Sequence, residues 1–286
     1  MDENENYHWR EPRVPGSINW YGLWTLYKKE VYRFIKIFFQ TIAAPIATSL
    51  LFMAIFTIAL GDLRPDVNGA PFIEFLAPGL IMMSVLQQAF AHTSSSLLIS
   101  KIQGNIVDIL LPPLGEIELN TAISLGGVTR GVIVALGAIF CMSFFVNFNF
   151  ENIWAIFFYL ISGSLMLSSI GIITGIWAEK FDHLGTITNF IIVPLSFLSG
   201  TFYSVKRMPE FALYLIEYNP FFYVIDGFRF GFVGNADGDL IFGAIFLTIL
   251  NLILIIISHF LLKSGWRLKT LKIKSMKAKN FSLRYT

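Results

Sequence analysis

The sequence predicts an all-α membrane protein with six transmembrane helices, an interfacial helix ahead of the first, and both termini in the cytoplasm. Three observations predict it. Hydrophobic residues make up 55% of the 286 positions and charged residues only 14%, with a mean hydropathy of +0.65. A soluble domain carries about 25% charged residues, so this chain has too little polar surface to cover a water-soluble globule. Six apolar segments, near 37–60, 72–95, 131–147, 153–178, 185–203 and 239–262, approach or exceed the roughly 20 residues a spanning helix needs. Lysine and arginine are distributed by side. With the termini inside, the outer segments hold only Arg64, Lys206, Arg207 and Arg229 of the 21, as the positive-inside rule requires.

The domain reading follows: 1–36 as a cytoplasmic N-terminal segment, 37–264 as the membrane domain, 265–286 as a basic cytoplasmic tail. The first residues, "MDENENYHWREPRVPG", lack the basic start and apolar core of a cleavable signal peptide, so the first span is expected to act as the membrane signal. In "SINWYGLWTLYKKEVYRFIK", Trp20, Leu23, Trp24, Tyr27, Val31 and Phe34 recur at helical spacing, with Lys28, Lys29, Arg33 and Lys36 on other faces. Ser17, after Pro15-Gly16, is the expected N-cap. Such a helix lies flat in the inner headgroup region. It serves either as a simple float or as a contact for a cytoplasmic partner.

The second span carries Gln87, Gln88, His92, Thr93, Ser94, Ser95 and Ser96. These are either glue between helices or the lining of a translocation path. Next, Ile102, Ile106, Ile109 and Leu110 form the apolar face of a short helix that Pro112-Pro113 stops. It reads as a surface loop or as a rigid lever touching a partner. The third span is short as a purely apolar run. It is expected to begin near Leu119, with Arg130 at or below the interface. Beyond the fifth span, Pro209 breaks the chain and "EFALYLIEY" makes one short helix. Asn219 then caps a second helix with Pro220 in its first turn. Asp226 and Arg229 face each other at i and i+3. The aromatic residues here are expected to stay in the outer leaflet while the charges reach the interface.

Enzyme chemistry is hard to place on this chain. The dipeptide Gly-Lys does not occur, so there is no phosphate-binding loop for ATP. The four histidines, His8, His92, His183 and His259, are scattered, which argues against a multi-histidine metal site. The single cysteine, Cys141, forms no internal disulfide. The net charge of +2 gives no reason to expect a nucleic-acid partner.

Two stretches carry a family resemblance. "APGLIMMSVLQQAFAHTSSSLLISKIQGNIVDILLPPLGEIELNTA" (77–122) and "FDHLGTITNFIIVPLSFLSGTFYSVKRMPEFALYLIEYNPFFYVIDGFRFGFVG" (181–234) resemble the two signatures of the ABC-2 type membrane permeases, in the YadH- and NodJ-like branch of ABC exporters. The matching elements come in order. They are Pro-Gly-Leu-Ile-Met-Met at 78–83, the stop at Pro112, Leu-Ser-Gly at 198–200, Tyr-Asn-Pro at 218–220 and Asp-Gly-Phe-Arg at 226–229. The resemblance implies the membrane half of an ATP-driven exporter in the cell inner (plasma) membrane. Two copies would form the path, and a separate ATPase subunit would bind the ATP and magnesium; this chain would bind no cofactor. It implies that Lys101, Ile102, Asn105, Ile106, Asp108, Ile109 and Leu110, ended by Pro112, form the helix that docks on the ATPase. Asp182, in the 178–185 loop, would make a smaller contact. It also implies that the two short helices after the fifth span form a re-entrant hairpin on the outer side. Gln87, Gln88, Ser199, Lys206 and Arg207 are the candidates for the path or its exit. Membrane lipids are expected partners, and the cargo class is hydrophobic, lipidic or lipid-linked. A stand-alone channel or secondary carrier is the alternative. A lipid-modifying membrane enzyme would need clustered ionisable groups at the interface.

Overall fold

The computed structural model describes residues 18–60, 66–67, 69–110 and 114–267. Among them, six helical spans are long and apolar enough to cross a membrane: Phe39–Ala59, Phe72–Gln103, Glu116–Met142, Ile153–Trp177, Phe181–Leu198 and Leu240–Ser264. Helices are what the bilayer demands, because an unpaired backbone group in hydrocarbon costs several kcal/mol.

The first helix, α1, covers Trp20–Ile35. Its cap is Asn19, whose Oδ1 accepts the Gly22 amide at 2.9 Å. This replaces the expected start at Ser17, which lies outside the described residues. Nor is α1 a simple float: Leu26, Glu30 and Phe34 are buried on one side. A π-helical turn at Phe39–Ala43 leads into α2, Ala44–Leu60. There Thr41 Oγ1 donates to the Phe34 and Ile37 carbonyls at 2.7 and 3.0 Å. A hydroxyl inserted into the carbonyl ladder is one identifiable cause of such a bulge. A two-stranded ribbon follows, β1 (Asp66–Val67) antiparallel to β2 (Ala70–Pro71), and α3 then runs over Phe72–Gln103.

Helix α3 is eight residues longer than expected, because Gly104, at φ +82°, is what ends it. A left-handed C-cap suits glycine, which has no Cβ to clash. The remaining helices are α4 (Ile106–Leu110), α5 (Glu116–Met142) and α6 (Ile153–Trp177). The fifth span is composite: α7 (Phe181–Ile187), a π-turn at Thr188–Ile192, and α8 (Val193–Leu198). A 3₁₀ turn, Val205–Arg207, precedes α9 (Glu210–Glu217), α10 (Pro220–Val233) and α11 (Leu240–Ser264).

Helix α3 is the central post, packed against α2, α5, α6 and α10. The composite fifth span, α2 and α11 leave most of their surface exposed. Small residues bring the central helices together, as expected where no water drives helix association. A Cβ built on Gly171 would lie 2.0 Å from Thr93 Oγ1 and 2.8 Å from the Phe90 carbonyl. Gly171→Ala is therefore expected to destabilise the bundle by about 1–3 kcal/mol, read as a lowered melting temperature in detergent. Gly185→Ala, with nothing within 4 Å of the added carbon, should leave it unchanged.

The elements gather at two ends. One end carries α1, α4 and the α6–α7 elbow; the other carries the β-ribbon, α9 and α10. Asn219 caps α10 as expected, with its side chain accepting from the Phe221 amide at 3.1 Å. Helix α10 departs from expectation in burial. Phe221, Phe222, Tyr223 and Phe228 are buried, and so are Asp226 (2% exposed) and Arg229 (1% exposed), so these two charges do not reach an interface. Of α9 and α10, α9 is the one that turns aromatic residues outward, at Phe211 and Tyr214, with Tyr218 exposed at its C-cap.

Candidate functional site

At the α4 end, a short helix stands on a fixed floor. Ile106 and Ile109 are 2% and 4% exposed and pack with Leu26, Leu97, Leu119 and Ile176. Turning those two inward leaves Ile102, Asn105, Val107 and Asp108 exposed along the other edge. A groove of about 390 Å³ separates this edge from α1, with Tyr21, Thr25 and Lys29 on one wall and Asp108, Ile109 and Leu114 on the other. So the expected coupling residues divide. Ile106 and Ile109 anchor α4, while Ile102, Asn105 and Asp108 are free to meet a partner. Pro112 and the side chain of Leu110 lie outside the described residues.

Lys101 belongs to α3, not to the short helix. It is 1% exposed, and its Nζ donates to the carbonyls of Gly175, Ile176 and Ala178 at 3.1, 2.7 and 2.5 Å. Those carbonyls end α6, where they have no helical partner and where a positive charge is favoured. Arg267 Nη1 adds a bond to the Trp177 carbonyl at 3.2 Å. Beside them Leu98, Ala178 and Leu184 form a small apolar cluster. Lys101 thus ties the base of α4 to the elbow that starts the fifth span. Asp182, in the first turn of α7, is exposed on that elbow. Lys101→Met would leave these carbonyls without their ammonium donor. The expected loss is about 2–4 kcal/mol, measurable as a lowered melting temperature, at about 1–3 kcal/mol per unsatisfied buried group and allowing for partial relaxation.

A buried ionic cluster fastens α1 to the bundle, and sequence reasoning missed its centre, Glu30. Both carboxylate oxygens accept from Ser96 Oγ, at 2.9 and 2.8 Å. Arg33 Nη2 lies 3.2 Å from Glu30 Oε2. His92 Nε2 lies 3.3 Å from the same oxygen, without the alignment of a hydrogen bond. Arg33 also donates to the His92 carbonyl at 2.9 Å. Gly126 of α5 makes room for the cluster, since a Cβ there would meet Glu30 Cβ and His92 Nε2, each at 2.9 Å. The available signal was positional: Glu30 falls on the Leu26–Phe34 stripe, where a lone carboxylate must find partners.

Burial pushes the Glu30 carboxyl up, but His92, Arg33 and Ser96 outweigh it and hold it down at about 2, against an ordinary 4.5. A depressed carboxyl contributes stability that is complete above its ordinary value and is lost only as pH falls toward the depressed one. Between pH 5 and 8 this carboxylate therefore works as a lock and not as a proton relay. Difference infrared spectra, wild type minus Glu30→Gln, should show no protonated-carboxyl band at pH 5.

Several of the polar residues weighed as path lining also hold helices together. Gln88 Oε1 accepts from Arg130 Nη2. Arg130 sits in the middle of α5 and is 8% exposed. Gln87 is half-buried on α3. Thr93 Oγ1 donates to the Ser168 carbonyl at 2.9 Å, joining α3 to α6. Ser199 is 1% exposed; its Oγ donates to the Leu195 carbonyl at 2.5 Å and accepts from Asn219 at 2.9 Å.

At the opposite end, Arg229 Nε donates to the Phe75 carbonyl at 3.1 Å and Nη2 to the Gly200 carbonyl at 2.7 Å. Its guanidinium lies 3.8 Å from the centre of the Phe75 ring and 3.9 Å from Asp226 Oδ1. Asp226 accepts the amides of Asp237 and Gly238 at 3.0 and 2.9 Å, pinning the loop before α11. Lys206 is 60% exposed and pairs with Asp237 at 3.8 Å. The Arg207 side chain lies outside the described residues.

The model of the ABC-2 type transporter family matches residues 21–233. The chain is 34% identical over 240 residues to "Inner membrane transport permease YadH" of Escherichia coli strain K12, covering 83% of this chain and 94% of that one. It is 24% identical over 230 residues to "Nodulation protein J" of Rhizobium leguminosarum bv. viciae, covering 75% and 82%.

Proposed function

This chain belongs to the ABC-2 type transporter family, and from that premise we propose that it is the membrane subunit of an ATP-driven exporter whose ATPase is a separate chain. The observation that carries the proposal is the α4 platform, a short helix with an exposed edge on an anchored base. Lys101 links that base to the start of the fifth span. A docked ATPase moving α4 would pull directly on the elbow at 178–184. The fifth span is loosely held by the rest of the chain and contains a π-turn, a feature often found where helices adjust during function. The groove between α1 and α4 would receive an edge of the ATPase. With the α4 end toward the cytoplasm, the basic residues fall inside. The relative's printed name supports an inner-membrane location. Two copies would pair along the exposed faces of α2 and the fifth span, with the path between them. The cargo is hydrophobic, lipidic or lipid-linked, and it leaves at the α9–α10 end.

The carrier alternative draws on one observation, the buried Glu30–His92 pair. The strong hold on that carboxylate across physiological pH argues for a latch instead.

The experiment is capture of the tagged chain from its native membrane in mild detergent, with mass spectrometry of what co-elutes. The expected result is a near-stoichiometric ABC-type ATPase, lost in Val107→Glu/Asp108→Lys while the variant remains folded. A dimer without any ATPase would return the channel and carrier readings to first place.

A further inference from the structure

Between α9, α10 and the start of α11 lies a cavity of about 720 Å³ that the export reading leaves unused. Its floor is aromatic. Tyr223 lies 5.6 Å, ring to ring, from both Phe242 and Phe246, and Phe222 stands beside it at 5.1 Å. Its rim is charged, with Lys206, paired to the buried Asp237 carboxylate, on one side and the exposed Glu217 and Asp239 on the other. The walls are held in place. Tyr223 Oη donates to the Glu217 carbonyl at 3.0 Å, and Asp226 pins the Asp237–Gly238 turn. Concave sites of about 300–1,000 Å³ with an apolar lining and a few placed polar groups take small molecules.

We propose that this cavity binds a zwitterionic phospholipid of the outer leaflet, with its acyl chains on the aromatic floor and its headgroup at the rim. The proposal rests on the reading that α9 and α10 stand at the outer surface. The exposed Phe211 and Tyr214 of α9, with Tyr218 at its C-cap, form the kind of aromatic belt that sits at headgroup depth. That places the cavity mouth among lipid heads. The rim then selects by charge. Lys206 meets the phosphate, and the Glu217 and Asp239 carboxylates with the ring of Tyr218 meet the ammonium, which aromatic faces also attract. A headgroup carrying only negative charge would face two exposed carboxylates, Glu217 and Asp239, against one ammonium already paired with Asp237. The lipid would brace α9–α10 against α11 and hold the exit in one conformation.

The test uses the purified chain in nanodiscs of equal parts phosphatidylethanolamine, phosphatidylcholine and phosphatidylglycerol, followed by native mass spectrometry of the lipids retained in detergent. The two zwitterionic lipids should be retained over phosphatidylglycerol by about three- to tenfold, the range that partly exposed charge pairs and cation–π contacts supply. Glu217→Lys, a change at an exposed position, should reverse the preference. Leu213→Trp, which fills the cavity, should abolish retention. Preference for phosphatidylglycerol in the wild type, or unchanged retention in Leu213→Trp, overturns the proposal. Displacement of phospholipid by another amphiphile carried from the native membrane overturns the lipid assignment and marks the cavity as a cargo site. The readout needs no ATPase, so its failure leaves the exporter reading standing, and failure of the ATPase capture leaves this one standing.

Discussion

Glu30→Ala is expected to undock α1 and to lower the stability of the folded chain by about 3–5 kcal/mol, the loss that follows when one partner of a buried ionic group is removed. The carboxylate is 1% exposed and gathers Arg33, His92 and Ser96. Taking it away leaves Arg33 and His92 facing each other with no anion between them. Glu30→Gln keeps an acceptor for Ser96 but no charge, so it should lose less. Two measurements follow. The melting temperature in detergent should fall in the order wild type, Glu30→Gln, Glu30→Ala. Capture of the ATPase should weaken in parallel, because α1 forms one wall of the groove beside α4. A wild-type melting temperature for Glu30→Ala would sink the lock. Normal melting with lost capture would show instead that Glu30 acts on the partner contact alone.

Arg229→Met should be as damaging, about 3–5 kcal/mol, at the opposite end. The guanidinium joins the start of α3 to the turn after α8 through the Phe75 and Gly200 carbonyls, and it balances Asp226. Lysine should fail too, since one ammonium cannot make this forked contact and also stack on the Phe75 ring. Adding Asp226→Asn to Arg229→Met removes the stranded carboxylate and keeps an acceptor for the Asp237 and Gly238 amides. The double variant should therefore recover part of the loss. If the two losses simply add, the pair is not coupled and Arg229 acts only through its carbonyl contacts. The same geometry explains Gly79 in the Pro-Gly motif, where a Cβ would meet the Thr201 carbonyl at 2.8 Å and Arg229 Nη2 at 3.0 Å.

Arg229 also shows where reading the sequence stops. Its i, i+3 spacing to Asp226 made the pairing legible, but not the burial. Spacing along one helix cannot say whether α10 lies on a membrane surface or is wedged among α3, α6 and α11. Glu30 was hidden for a similar reason: Ser96 and His92, 66 and 62 positions further on, lie on another helix. Lys101 read as a contact residue because it adjoins the short helix. Its three carbonyl partners lie on α6, more than seventy residues away.

The sequence by itself determined the six spans, the short helix between the second and third, the capped pair of helices after the fifth, and the family. These follow from what each segment must do alone: bury its own backbone polar groups in hydrocarbon, start at a cap and stop at proline or glycine. Only the tertiary structure decided which side of each short helix is anchored, which charges are locked inside, and where a rimmed cavity opens. In an apolar chain nearly every face is oily, so hydropathy cannot separate the face that meets lipid from the face that meets protein. Close approach at small residues and the pairing of a few buried charges make that choice, and both exist only between helices distant in the chain.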